Sequence, residues 1–315
     1  MLTDNHQKKD NVMLAFITTL RHPQNSADYH RVEAFLEETL ASIARQTCDD
    51  YVVIVVCNQQ LTSPLPPRTH VVVVDFPPPT AHAGPQTGMG PFIWDKGSKV
   101  GVGLVLAREL GADFVMLFDA DDYLHRGIAA HVRAHPGSLG WVVRRGWIYS
   151  RARNSYALRH RLFRICGTSF IVPFQAYGLP DHLTTASTQA EIVEAFGDDM
   201  TEQILAGHRY ALEWWRDRGR TLDPLPFAAV CYHVDTGENH SGVRLLGPGL
   251  PYRSHLFDDF GIRPGKGAVA TLWSAIGPAA LRPDVRFRRP FFLKPRKPEL
   301  TRPAADLNQP AEPPH

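Results

Sequence analysis

"DFVMLFDADDYL", Asp113 to Leu124, is the stretch that decides the fold. An apolar, strand-like run ends abruptly in three carboxylates, Asp119, Asp121 and Asp122. Unpaired, such groups repel one another and are costly to desolvate. Positive charge must meet them, from a metal ion, a partner side chain or solvent. Capping of the next helical stretch, "HRGIAAHVRAH", accounts for one carboxylate. It does not account for three within four residues, so a cation site is the better reading.

Working outward, "KGSKVGVGLVLARELG" (Lys96–Gly111) reads as a helix closed by Gly111. The Pro/Gly-rich "PPPTAHAGPQTGMGP" before it (77–91) is too irregular for either element. Further upstream, "VMLAFITTL" (Val12–Leu20), "YVVIVVCN" (Tyr51–Asn58) and "HVVVVDF" (His70–Phe76) read as strands. The almost continuous apolar character of the second suits a strand covered on both faces. Between the first two, Val32, Phe35, Leu36, Leu40, Ile43 and Ala44 recur at helical spacing within His30–Gln46. This rhythm predicts an α/β domain with a mainly parallel central sheet flanked by helices. In such sheets ligands bind beyond the carboxyl ends of the strands, where Asp119 and Asp121 stand. Downstream, "GWVVRRGWIYS", "FRICGTSFIVPF" and "LPFAAVCYHV" read as strands. "TQAEIVEAFGDDMTEQILAGHRYALEWWRDRG" reads as largely helical, interrupted around Gly197.

The chain has 315 residues, 43% hydrophobic and 21% charged, with a net charge of +2. That is ordinary globular composition, and it carries no nucleic-acid-binding signal. Four cysteines, Cys48, Cys57, Cys166 and Cys231, form no CxxC pair. A zinc ribbon or disulfide scaffold is not indicated, and a reducing, cytoplasmic location is expected. The polar N-terminus lacks a signal-peptide core, and no apolar run reaches membrane-spanning length. The expected organisation is a flexible N-terminus (1–11), a catalytic domain (12–241), a basic Gly/Pro-rich extension (242–301) and a disordered tail (302–315).

The segment "FDADD" after "LGADFVML" resembles the DxD motif of GT-A fold glycosyltransferases, most nearly the family 2 type. The order of elements agrees over roughly residues 12 to 241. The resemblance implies a GT-A-type nucleotide-diphospho-sugar transferase fold. It implies an inverting, hexosyltransferase-like enzyme that moves a sugar from a nucleotide-diphosphate sugar, a UDP-sugar, to a hydroxyl of a glycan or lipid-linked acceptor. Mn²⁺ or Mg²⁺ would take carboxylate and phosphate oxygens and neutralise the diphosphate leaving group. By this resemblance Asp119 meets ribose or metal and Asp121 binds the metal directly, while Asp122 is left to cap the next helix.

The same resemblance places Thr18, Thr19, Arg21 and Asn58 at the nucleobase. "CNQQ" stands where the family often carries an Asp-rich "DDGS" turn, so the base stays open. Strand-end hydroxyls bonded to backbone are an equal reading of Thr18 and Thr19. Lys96 and Lys99, at the start of their predicted helix, border the donor and could meet phosphate at a helix N-terminus; solvated lysines are the alternative. A general base is expected from Asp198 and Asp199 in "FGDDMTEQIL", Asp199 first; helix caps are the alternative. His240, ahead of His233, could complete the metal shell, with Glu238 and Asn239 beside it. Gly167 would admit substrate to the backbone or mark a bulge. Of Trp214 and Trp215, one could stack on a sugar, since adjacent helix positions face different ways.

Rival classes fit less well. "KGSKVGVGLVLA" lacks the third glycine of a dinucleotide fingerprint, no Walker A lysine motif occurs, and "ITTLRHPQNS" is not the Gly-rich loop of a nucleotidyltransferase. A haloacid-dehalogenase-like phosphatase also uses an Asp pair after a strand, but Tyr123 occupies its Thr/Val position. A non-catalytic sugar-binding module is the remaining alternative. Arg282–Arg302 holds eight Lys/Arg against Asp284 and Glu299, interleaved with aromatics. Peripheral contact with an anionic membrane and simple packing on the catalytic domain are its two readings.

Overall fold

Side chains alternate along a strand, and here the alternation sorts the N-terminal strands' residues onto two covered faces. In the computed structural model, which describes residues 12–277 except 83, 85–86, 237–243, 246 and 266, the first elements are β1 (Leu14–Thr19), α1 (Tyr29–Ile43), β2 (Tyr51–Cys57), β3 (Thr69–Val73), α2 (Met89–Glu109) and β4 (Phe114–Leu117). Leu14, Phe16, Val53 and Val55 pack with Val32, Leu36, Leu40 and Ile43 of α1. Ala15, Ile17, Ile54 and Val56 pack with Val100, Leu104 and Val105 of α2 on the other side. Two covered faces explain why β2 is apolar at every position.

The chain continues through β5 (Tyr123–Leu124), α3 (Ile128–Arg133), β6 (Trp141–Val142), β7 (Arg145–Ser150), β8 (Ser155–His160), β9 (Phe170–Pro173), α4 (Gln189–Met200), α5 (Ala211–Asp217), β10 (Asp223–Pro224), β11 (Val230–Val234), β12 (Leu250–Pro251), α6 (His255–Phe260) and α7 (Ala268–Ile276). The first sheet has the order β10-β6-β9-β4-β1-β2-β3. It is mixed, where the sequence predicts a mainly parallel sheet. β3, β2, β1 and β4 run parallel, but β9 is antiparallel to both β4 and β6. A second sheet, β12-β8-β7-β11-β5, was not foreseen from the sequence. β5 follows the acidic turn directly and pairs with β11, Tyr123 opposite Cys231. The acidic turn is therefore the seam where the chain passes from one sheet to the other.

Three local readings change. α2 starts at Met89, with Pro91 in its first turn, where proline is tolerated. Lys96 and Lys99 are thus inside the helix, so the helix-terminus argument for them falls. Gly111 ends α2 with φ 73°, as the sequence predicts. Helix α3 has Gly127 as its N-cap residue, so Asp122 is not its cap. Gly197, at φ 74° and ψ 160°, breaks α4 where expected. The described part of 242–301 is not a separate appendage: β12 pairs with β8, and α7 packs against β8 and β12. Among the described residues no helix is long and apolar enough to cross a membrane.

Helix α2 sits close to the sheet at Gly103 and to α4 at Gly101 because neither residue has a side chain. A Cβ on Gly103 would lie 2.5 Å from Cγ2 of Ile17, and one on Gly101 would lie 2.3 Å from Cγ2 of Ile192. Ile17 is fully buried and stiff at χ1, so it cannot yield. The helix-propensity gain of Gly103→Ala, about 1 kcal/mol, is smaller than the overpacking penalty of about 1–3 kcal/mol. Urea unfolding should therefore show Gly103→Ala to be less stable than the parent; equal or higher stability would mean that the α2–β1 contact accepts a methyl group.

Candidate functional site

The acidic turn closes around Asp122, which is fully buried. Its Oδ2 accepts from the Thr168 hydroxyl and from Cys166 Sγ at 3.2 Å. Its Oδ1 accepts the His233 backbone N–H at 3.2 Å. Thr168 also accepts the backbone N–H of Asp119 at 2.9 Å, so one hydroxyl links both acids. Burial pushes the Asp122 carboxyl well above the ordinary carboxylate range, and the charges of Asp121 and Asp119 push it the same way. With its oxygens engaged by protein donors, Asp122 is a structural group.

Asp119 takes a different partner. Lys96 Nζ donates to Asp119 Oδ1 at 2.7 Å, with the two side chains 24% and 30% exposed, so the pair can be reached from solvent. Burial alone would raise Asp119 and lower Lys96. The mutual charge and hydrogen bond outweigh it, holding the carboxyl below and the ammonium above their usual values. The Gly167 backbone also bonds this carboxylate, and a Cβ on Gly167 would lie 2.8 Å from Asp119 Oδ2. Gly167 is therefore needed for the close approach of the loop to Asp119.

Asp121 is the acid left over. Burial and the charge of Asp119 raise it to about 7, against the opposing pull of Arg21 and Lys96. Arg21 thus lies near enough to act on the acidic turn, and it hydrogen-bonds the Asn25 carbonyl at 3.4 Å. His233 braces the turn from behind. Its ring bonds the Asp121 backbone and is lowered to about 4, chiefly by burial, and it packs among Phe35, Tyr123 and Tyr149.

A cavity of about 30 Å³ opens beside the Lys96–Asp119 pair, lined among others by Thr18, Thr19, Gly167, His208 and Trp215. It is water-sized, so a larger ligand would meet the pair from its mouth. Thr18 is 1% exposed, and its Oγ1 has no hydrogen-bond partner among the described residues, an unmet polar atom at the cavity wall. The sequence missed His208, which follows the helix break without any motif. Burial lowers its imidazole to about 4, opposed by Asp119, so it is neutral at pH 7.

The structure brings Thr18, Lys96 and Asp119 to one cavity and leaves other candidates elsewhere. Asn58 donates to the Phe76 carbonyl at 3.0 Å and fastens the chain after β3. Lys99 is fully buried, bonded to Asp95 at 2.8 Å and to the Leu20 carbonyl at 2.9 Å, and so ties α2 to the end of β1. Asp198 is exposed. Asp199 Oδ2 is bound by Trp214 Nε1 at 3.0 Å and Arg218 Nη2 at 2.9 Å, and neither aspartate lines the cavity. Trp215 is core and Trp214 carries the Arg218 guanidinium at 3.6 Å from its ring centre. His240, Glu238 and Asn239 lie outside the described residues. Among the described residues, no group of three or more His, Cys, Asp and Glu is arranged to hold a metal.

No protein-family model and no curated protein matches the chain. Among solved structures it is similar to S. aureus TarS, at 15% identity and a TM-score of 0.33, over 71% of this chain and 37% of that one. It is also similar to a protein from Desulfovibrio desulfuricans G20 provisionally described as a nucleotide-diphospho-sugar transferase, at 11% identity and a TM-score of 0.32, over 70% of this chain and 81% of that one. This chain spans well under two thirds of TarS. Likeness this distant assigns no activity to the chain, and the function rests on the chemistry of the acidic turn itself.

The acids in the turn should separate cleanly by mutation. Asp122→Ala strands the Thr168 hydroxyl and the His233 N–H in the interior, and should cost about 3 kcal/mol or more in urea unfolding. Asp121→Asn removes a charge that burial and Asp119 disfavour, so its stability should equal or exceed the parent's by up to about 1 kcal/mol. The reverse order would mean that Asp121, not Asp122, holds the seam.

Proposed function

We propose that the chain is a metal-dependent glycosyltransferase of GT-A type, moving a sugar from a nucleotide-diphosphate sugar to an acceptor hydroxyl. The observation that carries this reading is the placement of Asp119 and Asp121 just beyond the carboxyl end of β4, with Lys96 paired to Asp119 and Thr18 lining the adjoining cavity. Parallel strands end there, where α/β sheets bind ligands.

The donor set suits a hard divalent cation. Asp121 offers a carboxylate short of positive charge, and Asp119 has a second oxygen beyond the one given to Lys96. Mg²⁺ and Mn²⁺ are commonly held by one or two carboxylates, with substrate phosphates completing the shell. When bound, such an ion would supply charge neutralisation for the diphosphate leaving group. Lys96 would add a fixed positive charge beside it. Inversion and the UDP-sugar donor belong to this reading by sequence resemblance. Asp199 enters it as base by sequence position alone.

Binding of UDP and GDP measured by calorimetry with and without Mn²⁺ tests this directly. Wild type should bind one of them in a Mn²⁺-dependent manner, and Asp121→Asn should lose that dependence while staying folded. Equal binding by both proteins would remove Asp121 from the metal site.

Contact with the inner face of an anionic membrane extends the same reading to a lipid-linked acceptor. On α7, Thr271 and Ala275 are buried, whereas Val269, Leu272 and Trp273 are 85%, 51% and 68% exposed. The basic run Arg282–Arg302 follows in the sequence, and each basic residue near an anionic surface contributes about 1 kcal/mol. The protein should co-sediment with phosphatidylserine vesicles at low salt and less at physiological salt. Leu272→Ser/Trp273→Ser and truncation after Leu281 should each weaken it. No binding at low salt would exclude the contact.

A further inference from the structure

A second, larger depression has Tyr123, the residue after the acidic turn, in its wall. It has a volume of about 510 Å³ and is bordered by α1, by the residue after β7 and by the end of α6 with the loop beyond it. That is the size range of small-molecule sites. Its charged border consists of Glu38, Arg45, Arg151 and Arg263, three guanidiniums against one carboxylate.

The carboxylate is already taken. Arg151 binds Glu38 through both of its terminal nitrogens. Tyr123 donates to Glu38 at 2.6 Å and accepts from Arg151 Nη2 at 2.8 Å. Glu38 being the one carboxylate among the groove's lining residues, this closed triangle leaves Arg45 and Arg263 without an acidic partner there. Both lie over one ring, Phe257, at 4.9 and 5.8 Å from its centre.

Arg45 is held in place by neutral groups. Its Nη2 donates to the Phe257 and Asp258 carbonyls, each at 3.1 Å. Gly261, at φ 75°, leaves room for it, since a Cβ there would lie 2.9 Å from Arg45 Cδ. Arg45 Nε is buried with no partner among the described residues. Arg263 makes no ion pair or hydrogen bond among the described residues. Two guanidiniums held over one ring repel each other, and an oxyanion between them relieves that repulsion with charge-assisted hydrogen bonds.

We infer that this groove binds a ligand the size of one or two sugar rings bearing a phosphate or carboxylate, with Arg45 and Arg263 as the oxyanion's partners. Under the function proposed above, the groove adjoins the acidic turn through Tyr123 and receives an anionic acceptor. That role rests on the glycosyltransferase reading, whereas the anion binding does not.

Ligand-observed saturation-transfer NMR with glucose 6-phosphate, glucuronate and glucose tests the inference. At least one anionic sugar should bind and glucose should not, and which one binds separates phosphate from carboxylate. Arg45→Gln and Arg263→Gln should each weaken the anionic sugar about tenfold or more. Asp121→Asn and Lys96→Gln should leave it unchanged. Among the described residues Arg263 makes no ion pair or hydrogen bond, so Arg263→Gln decides the matter even if Arg45→Gln fails to fold. No anionic sugar bound at millimolar concentration, wild-type affinity in Arg263→Gln, or loss confined to Lys96→Gln would overturn the groove assignment. Loss of nucleotide binding in wild type would overturn the enzyme reading and leave the groove untouched.

Discussion

The Asp122 carboxylate, fully buried between the two sheets, receives the Thr168 hydroxyl, the Cys166 thiol and the His233 backbone N–H. A carboxylate in the interior is costly unless its oxygens are hydrogen-bonded. These donors come from the loop before β9 and from β11, which belong to different sheets. Satisfying one acid therefore fixes how the sheets meet. It also fixes Asp119, since the Thr168 hydroxyl that serves Asp122 accepts the Asp119 N–H.

Three acids within four residues end in three electrostatic states because each meets different neighbours. Asp119 is held low by Lys96, Asp121 is raised to about 7 by burial and by Asp119, and Asp122 is raised by complete burial and by the charges of Asp121 and Asp119. Environments that push neighbouring carboxyls apart are what a working site exploits. Lys96 matters here because α2 starts two turns earlier than its sequence suggests. Lys96 therefore meets Asp119 from inside the helix and not from a helix terminus.

The two sheets divide the labour. The first is a rigid platform, with α1 and α2 on opposite faces and Lys99 clamping α2 to the end of β1. The second extends from the acidic turn through β5 and supplies the Glu38–Tyr123–Arg151 triangle with Tyr123. A single residue step, Asp122 to Tyr123, thus links the acidic turn to the wall of the arginine-bordered groove.

The sequence by itself determined the local elements. β1, β2, α1, the end of α2 at Gly111 and the break at Gly197 follow from side-chain period and from glycines at positive φ, all of which act within a few residues. It also marked the acidic strand end, because a charge cluster after an apolar run is a local contrast. The antiparallel course of β9, the second sheet, the role of Asp122 and the arrival of His208 were decided only by tertiary structure. Asp122 meets Thr168 across 46 residues and His233 across 111. Pairings of that reach depend on the path of the whole chain, and no local period encodes which of three adjacent acids will be drawn inside.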